Sequence, residues 1–162
     1  MNDERQVEKK QFVEEVGISF EQTGLPRMAG RLLGWLLICD APHQTTGELA
    51  EALLASKGSI STTTRLLIRI GLIERLSLPG VRHDYFRLKS GAWHQLLKDT
   101  LDQTTAFRQL MERGLVLLEN KSLLTRQWLE EMRDMYAFLE REFPALLERW
   151  EQQRKGGKLQ VK

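Results

Sequence analysis

Residues 45–75 read T-T-G-E-L-A-E-A-L-L-A-S-K-G-S-I-S-T-T-T-R-L-L-I-R-I-G-L-I-E-R, and the fold turns on this stretch. Thr45 and Glu48 stand three apart ahead of an apolar run, the pattern of a capping box, so a short helix starts here. Leu49, Leu53 and Leu54 are expected to face inward from it. A-S-K-G at 55–58 leaves room only for a tight connection, and Ser56 suits the cap of a second helix that runs to Ile70. On that helix Ile60, Thr64 and Leu67 share one face. Gly58, Thr62, Arg65 and Arg69 share the opposite face, flanked by Ser59, Ser61 and Thr63. Gly71 ends the helix. Two short helices joined this closely make a helix–turn–helix.

Outward from that motif, Ile73–Leu78 and Asp84–Lys89 read as two strands, with Pro79-Gly80 in the turn between them. Upstream, one helix spans Asp3 to Thr23 and a second, apolar on most sides, spans Pro26 to Cys39. Gly30 and Gly34 lie four apart on the second helix; glycine weakens a helix, so the pair points to close backbone approach. Downstream, Ser90 can cap a helix from Gly91 to Glu119, Asn120-Lys121-Ser122 breaks it, and a last helix follows. Pro144 is expected to kink or restart that helix. The expected architecture is mainly α: a winged helix–turn–helix with a two-stranded β-hairpin wing and long N- and C-terminal dimerisation helices. The segments are 1–24, an N-terminal dimerisation helix; 25–90, the winged helix–turn–helix; 91–154, the C-terminal helical dimerisation region; and 155–162, a disordered tail.

Charge points the same way. The 162 residues carry a net charge of +2, but residues 57–89 hold seven basic side chains against Glu74 and Asp84, a local excess of +5. A basic stretch in a near-neutral chain suits a polyanion. Lys57, Ser59, Ser61, Thr62, Arg65 and Arg69 form the expected DNA-reading face. Small residues allow close approach to base edges, hydroxyls both donate and accept, and Arg65 can fork onto guanine. Arg82 and His83 at the hairpin tip suit the minor groove, while Arg75 and Arg87 are expected to meet phosphates from the strands.

The segments G-L-P-R-M-A-G-R-L-L-G at 24–34, L-A-E-A-L-L-A-S-K-G-S-I-S at 49–61, R-L-L at 65–67, G-L-I-E-R at 71–75 and R-H-D-Y-F at 82–86 resemble the GbsR/MarR-type winged-helix transcriptional regulators. The resemblance is carried by residues 12–90. It implies a homodimer on a two-fold symmetric operator in double-stranded DNA, modulated in some relatives by a small-molecule effector. Val81 stands where the broader MarR group places a wing Asp, so the resemblance supplies no wing-bracing ion pair. Leu66, Ile68 and Ile70 replace polar residues of the family pattern and are expected to pack on flanking helices.

Other chemistries find little footing. Neither G-x-x-x-x-G-K nor G-x-G-x-x-G occurs, and no Ser or Cys stands in a nucleophile setting beside a His, so no enzyme and no cofactor is expected. Cys39, Asp40 and His43 make a metal-like cluster that lacks a fourth ligand, and no metal site is assigned. Cys39 itself reads as a small core thiol, with a redox sensor as the lesser reading. Trp35, Trp93, Trp128 and Tyr136 read as core aromatics more readily than as an effector cage. No apolar run reaches the length of a membrane span and no secretory signal is seen, so the cytoplasm is the expected setting. The alternative reading is a helical protein-interaction adaptor whose winged-helix core does not bind DNA.

Overall fold

The computed structural model describes residues 2–77 and 79–157. It contains α1 (Asn2–Gln22), α2 (Arg27–Ile38), β1 (Gln44–Thr45), α3 (Thr46–Ala52), α4 (Lys57–Ile70), β2 (Ile73–Ser77), β3 (Asp84–Leu88), α5 (Ala92–Leu117) and α6 (Leu123–Gly157). The chain divides into two compact units, residues 1–93 and 94–162.

In the first unit α1 lies against α2. A Cβ added at Gly30 would meet the Val16 carbonyl oxygen at 2.5 Å and the Gly17 Cα at 2.8 Å, so the two backbones touch where both helices carry glycine. Across the same contact Glu14 holds Arg27 at 3.1 Å and Arg31 at 2.6 Å. The N-terminal helix, expected as a dimerisation helix, packs on α2 within the first unit. Leu32, Leu33, Leu49, Leu53, Ile60, Leu67 and Ile73 form the buried centre, which α2, α3, α4 and β2 supply.

The sheet has three antiparallel strands in the order β1-β3-β2, not the two expected. The added strand is only Gln44–Thr45, paired with Phe86 and Tyr85. It is too short to show alternation, and Thr45 is also the α3 cap: its side chain accepts from the Glu48 N–H while Glu48 accepts from the Thr45 N–H. The wing hairpin pairs Ile73 with Leu88 through Ser77 with Asp84, and Gly80 takes φ +79° in the turn. Leu78, the expected last residue of the first strand, lies outside the described residues.

In the second unit α5 and α6 pack antiparallel. Phe107 stacks on Tyr136 at 5.4 Å, Thr105 donates to Glu140 at 3.0 Å, and Arg108 pairs with both Glu140 and Glu112. The hydrogen bond from Arg108, and after it the one from Thr105, push the Glu140 carboxyl below its ordinary range. Near the other ends His94 meets Glu151 at 3.1 Å, and Leu129 fits against Gly114. Helix α6 runs unbroken through Pro144 to Gly157. The ring removes one backbone donor, and the turns on either side carry the helix past it. Residues 155–157, expected in the tail, belong to α6, and 158–162 lie outside the described residues.

Candidate nucleic-acid interface

Helix α4 is defined at both ends by local chemistry. The Ser56 hydroxyl accepts from the Ser59 N–H at 3.1 Å, and Gly71 closes the helix at φ +87°, donating to the Leu67 and Ile68 carbonyls. Ile60, Thr64 and Leu67 are buried, as the spacing requires. Thr63 is buried as well, which corrects its expected place beside the outer face. Both α2 and α3 pack on α4, so the covered arc is wider than one apolar row. Leu66 and Ile70 are half-buried, but Ile68 is exposed and does not pack as expected.

The outward arc presents Lys57, Gly58, Ser61, Thr62, Arg65 and Arg69, all exposed, with Ser59 half-buried at the edge. Arg65 lies back along the helix: Nε donates to the Ser61 carbonyl at 3.2 Å and Nη2 to the Thr62 hydroxyl at 3.4 Å. These contacts hold the guanidinium beside the hydroxyl pair, while Nη1 remains open to solvent-side acceptors.

The wing departs from expectation in a way that matters. Arg75 donates to Asp84 at 3.3 Å, Ser77 donates to the other oxygen of Asp84 at 3.2 Å, and Arg87 donates to Glu74 at 2.6 Å. Glu74 and Arg87 are direct cross-strand partners, and Arg75 reaches Asp84 on the diagonal. Arg75 and Arg87, expected as phosphate ligands, are each exposed and each paired with a carboxylate across the hairpin. The wing is also braced after all, by Asp84 and not by the position Val81 occupies. Both acids of the 57–89 stretch are consumed in this way. Lys57, Arg65, Arg69, Arg82 and Lys89 remain exposed without a carboxylate partner among the described residues. Arg82 and His83 stand exposed in the hairpin turn, and Phe86 is buried beneath it while Tyr85 meets His43 edge-on at 4.7 Å.

The remaining candidates are plain. Burial pushes the Cys39 thiol above its ordinary range, and its sulfur donates to the Ala41 carbonyl at 3.2 Å, the opposite of an activated thiolate. Asp40 pairs with Lys9, and among the described residues no group of His, Cys, Asp and Glu is placed to hold a metal. The Trp35 indole N–H donates to Gln44 and Tyr136 is stacked on Phe107, but Trp93 and Trp128 are exposed and are not the core aromatics expected. Among the described residues no helix is long and apolar enough to cross a membrane.

A capped helix buried on one side and basic on the other, beside a braced β-hairpin, defines a winged helix–turn–helix protein. Residues 91–153 match the model of the "MmpR5-like MarR family transcriptional regulator". The chain is 42% identical over 142 residues to the HTH-type transcriptional regulator MmpR5 of Mycobacterium tuberculosis, covering 88% of this chain and 86% of that one. A crystal structure of a transcriptional regulator superposes with a TM-score of 0.76 at 41% identity, covering 90% of this chain and 99% of the other. The chain belongs to the MmpR5-like MarR family of transcriptional regulators. The expected resemblance holds for the MarR family, and the subgroup matched is MmpR5-like.

Proposed function

We propose that the chain is a cytoplasmic, non-enzymatic regulator that binds a two-fold symmetric operator in double-stranded DNA as a homodimer, with a small-molecule effector modulating the binding. The observation that carries this reading is the outward row of α4, hydroxylated and basic, on a helix whose opposite face is anchored in the core. In this reading Ser59, Ser61, Thr62 and Arg65 read base edges in the major groove, and Arg82 and His83 enter the minor groove. Lys57, at the positive end of the helix, and Arg69 meet phosphates. Arg75 and Arg87 hold the wing in shape.

The dimer is supported by apolar side chains around the turn between α5 and α6. Val116, Leu117, Leu123, Leu124 and Trp128 are each more than two-thirds exposed, an apolar patch that a second copy would cover. A two-fold pair sets its reading helices about 34 Å apart, one turn of duplex. Selection of bound fragments from random duplex DNA tests both parts. Inverted repeats with half-sites one turn apart are expected. No enrichment would reject DNA reading, and enrichment of single half-sites would reject the dimer.

A further inference from the structure

The first unit holds a recess of about 480 Å³ between α1, α2 and the turn that joins α3 to α4. That volume falls in the ~300–1,000 Å³ range of small-molecule sites. Its apolar wall is Val13, Trp35, Leu53 and Leu54. Leu54 is unusual on two counts. It sits at φ +49°, the left-handed conformation that glycine normally fills where a helix ends, and the Ala55 N–H closes that ending on the Ala50 carbonyl. Its side chain is also 88% exposed, so folding gains almost nothing from having leucine there. A strained backbone that presents an apolar side chain to an open recess is the mark of a contact made to something else.

The polar groups at the recess say what that something carries. Arg31 gives Nη2 to the Leu53 carbonyl at 2.9 Å, while Nη1 finds only the Met28 sulfur at 3.9 Å. Its Nε stands 2.6 Å from Glu14 but out of line for a hydrogen bond, and is a buried donor left without an acceptor. Lys10 has no carboxylate partner among the described residues, and Glu51 has no cationic one. Glu14 is already shared by Arg27 and Arg31. Among the described residues Lys10 and Glu51 are therefore the two unpaired charges at the recess, and Arg31, although paired with Glu14, keeps Nη1 without an oxygen acceptor. A simple acid would leave Glu51 unanswered, and a simple amine would leave Lys10.

We propose that this recess binds a free α-amino acid with a large apolar side chain, its carboxylate on Lys10 and Arg31 Nη1, its ammonium on Glu51, and its side chain against Trp35, Leu53 and Leu54. The site gives a chemical class to the effector of the proposed function and rests on that reading only for its regulatory role. Arg31 ties α2 to the helix–turn–helix through the Leu53 carbonyl, so a ligand that engages Arg31 acts next to the turn that positions α4.

Calorimetric titration of the DNA-free, full-length protein tests the site without depending on DNA binding. The probes are L-phenylalanine, 3-phenylpropanoate, which lacks the ammonium, and phenethylamine, which lacks the carboxylate. L-phenylalanine is expected to bind at least about tenfold tighter than either. Lys10→Met should weaken L-phenylalanine while leaving phenethylamine unchanged, and Glu51→Gln should weaken it while leaving 3-phenylpropanoate unchanged. Leu54→Gly relieves the backbone, so it keeps the fold and should still lose affinity. No heat with L-phenylalanine, equal binding of the three probes, or wild-type binding by all three variants would overturn the proposal. Binding to the free protein with no effect on its operator complex would leave the site standing and remove its role as effector site.

Discussion

Neutralising Lys57 should weaken the salt dependence of DNA binding and neutralising Arg87 should not, although both are exposed cations in the same basic stretch. Lys57 opens α4 and has no carboxylate partner, so in a two-fold complex Lys57→Gln removes two phosphate contacts. Each contact contributes about 0.9 to the slope of log affinity against log salt, so the slope should flatten by about 1.8. Between roughly 50 and 200 mM salt, a slope change of that size narrows the gap between wild type and variant by about tenfold. Arg87 is held by Glu74 at 2.6 Å and releases few counterions on binding, because a carboxylate already neutralises it. Arg87→Gln should leave the slope unchanged and cost the fold no more than about 1 kcal/mol, the scale of an exposed ion pair. Fluorescence anisotropy on one operator duplex across a salt series reads both variants. The reasoning fails if Arg87→Gln flattens the slope as much as Lys57→Gln does, or if Lys57→Gln leaves it untouched.

Three further outcomes follow from named contacts. Arg65→Ala should cost about 1–3 kcal/mol on the preferred duplex and little on a scrambled one, read by competition between the two; equal losses on both would reject base reading. Gly30→Ala should cost about 1–3 kcal/mol of stability or more, read as a lowered urea midpoint, because the new methyl meets backbone at Val16 and Gly17 with no flexible side chain to yield. Bonds from the Thr45 backbone N–H and then its hydroxyl hold the Glu48 carboxyl below its ordinary 4.5, so this capping box stabilises the fold above that value and loses its contribution as pH falls through the lower folded value. Urea unfolding of wild type and Glu48→Gln should therefore differ at neutral pH and converge in acid; a gap that persists in acid would mean that Glu48 acts through packing instead.

Much of the regulator was legible before any coordinates, and the legible parts are local. The caps at Thr45 and Ser56, the stop at Gly71 and the row Ile60, Thr64, Leu67 each depend on groups within about one helical turn of one another, a range in which chain geometry alone sets who faces whom. The glycines of α2 were readable as a contact for the same reason, though not what they would touch. What eluded the sequence depends on partners far along the chain. Thr63 is buried because two helices, not one, cover α4. The strand at Gln44–Thr45 exists only because β3 offers it an edge. Leu54, expected inward, faces outward because the helix ending turns its backbone left-handed.

The division is sharpest for charge. That residues 57–89 are basic is a property of composition and could be counted. Which of those cations are free to meet a polyanion is a property of register, since a shift of one residue between β2 and β3 would send Arg87 and Glu74 to opposite faces and release both. The sequence by itself determined a winged helix–turn–helix with a basic front. Only the tertiary structure decided that Asp84 pairs with Arg75 and Glu74 with Arg87, because the attraction weakens with distance and only folding brings these side chains that close.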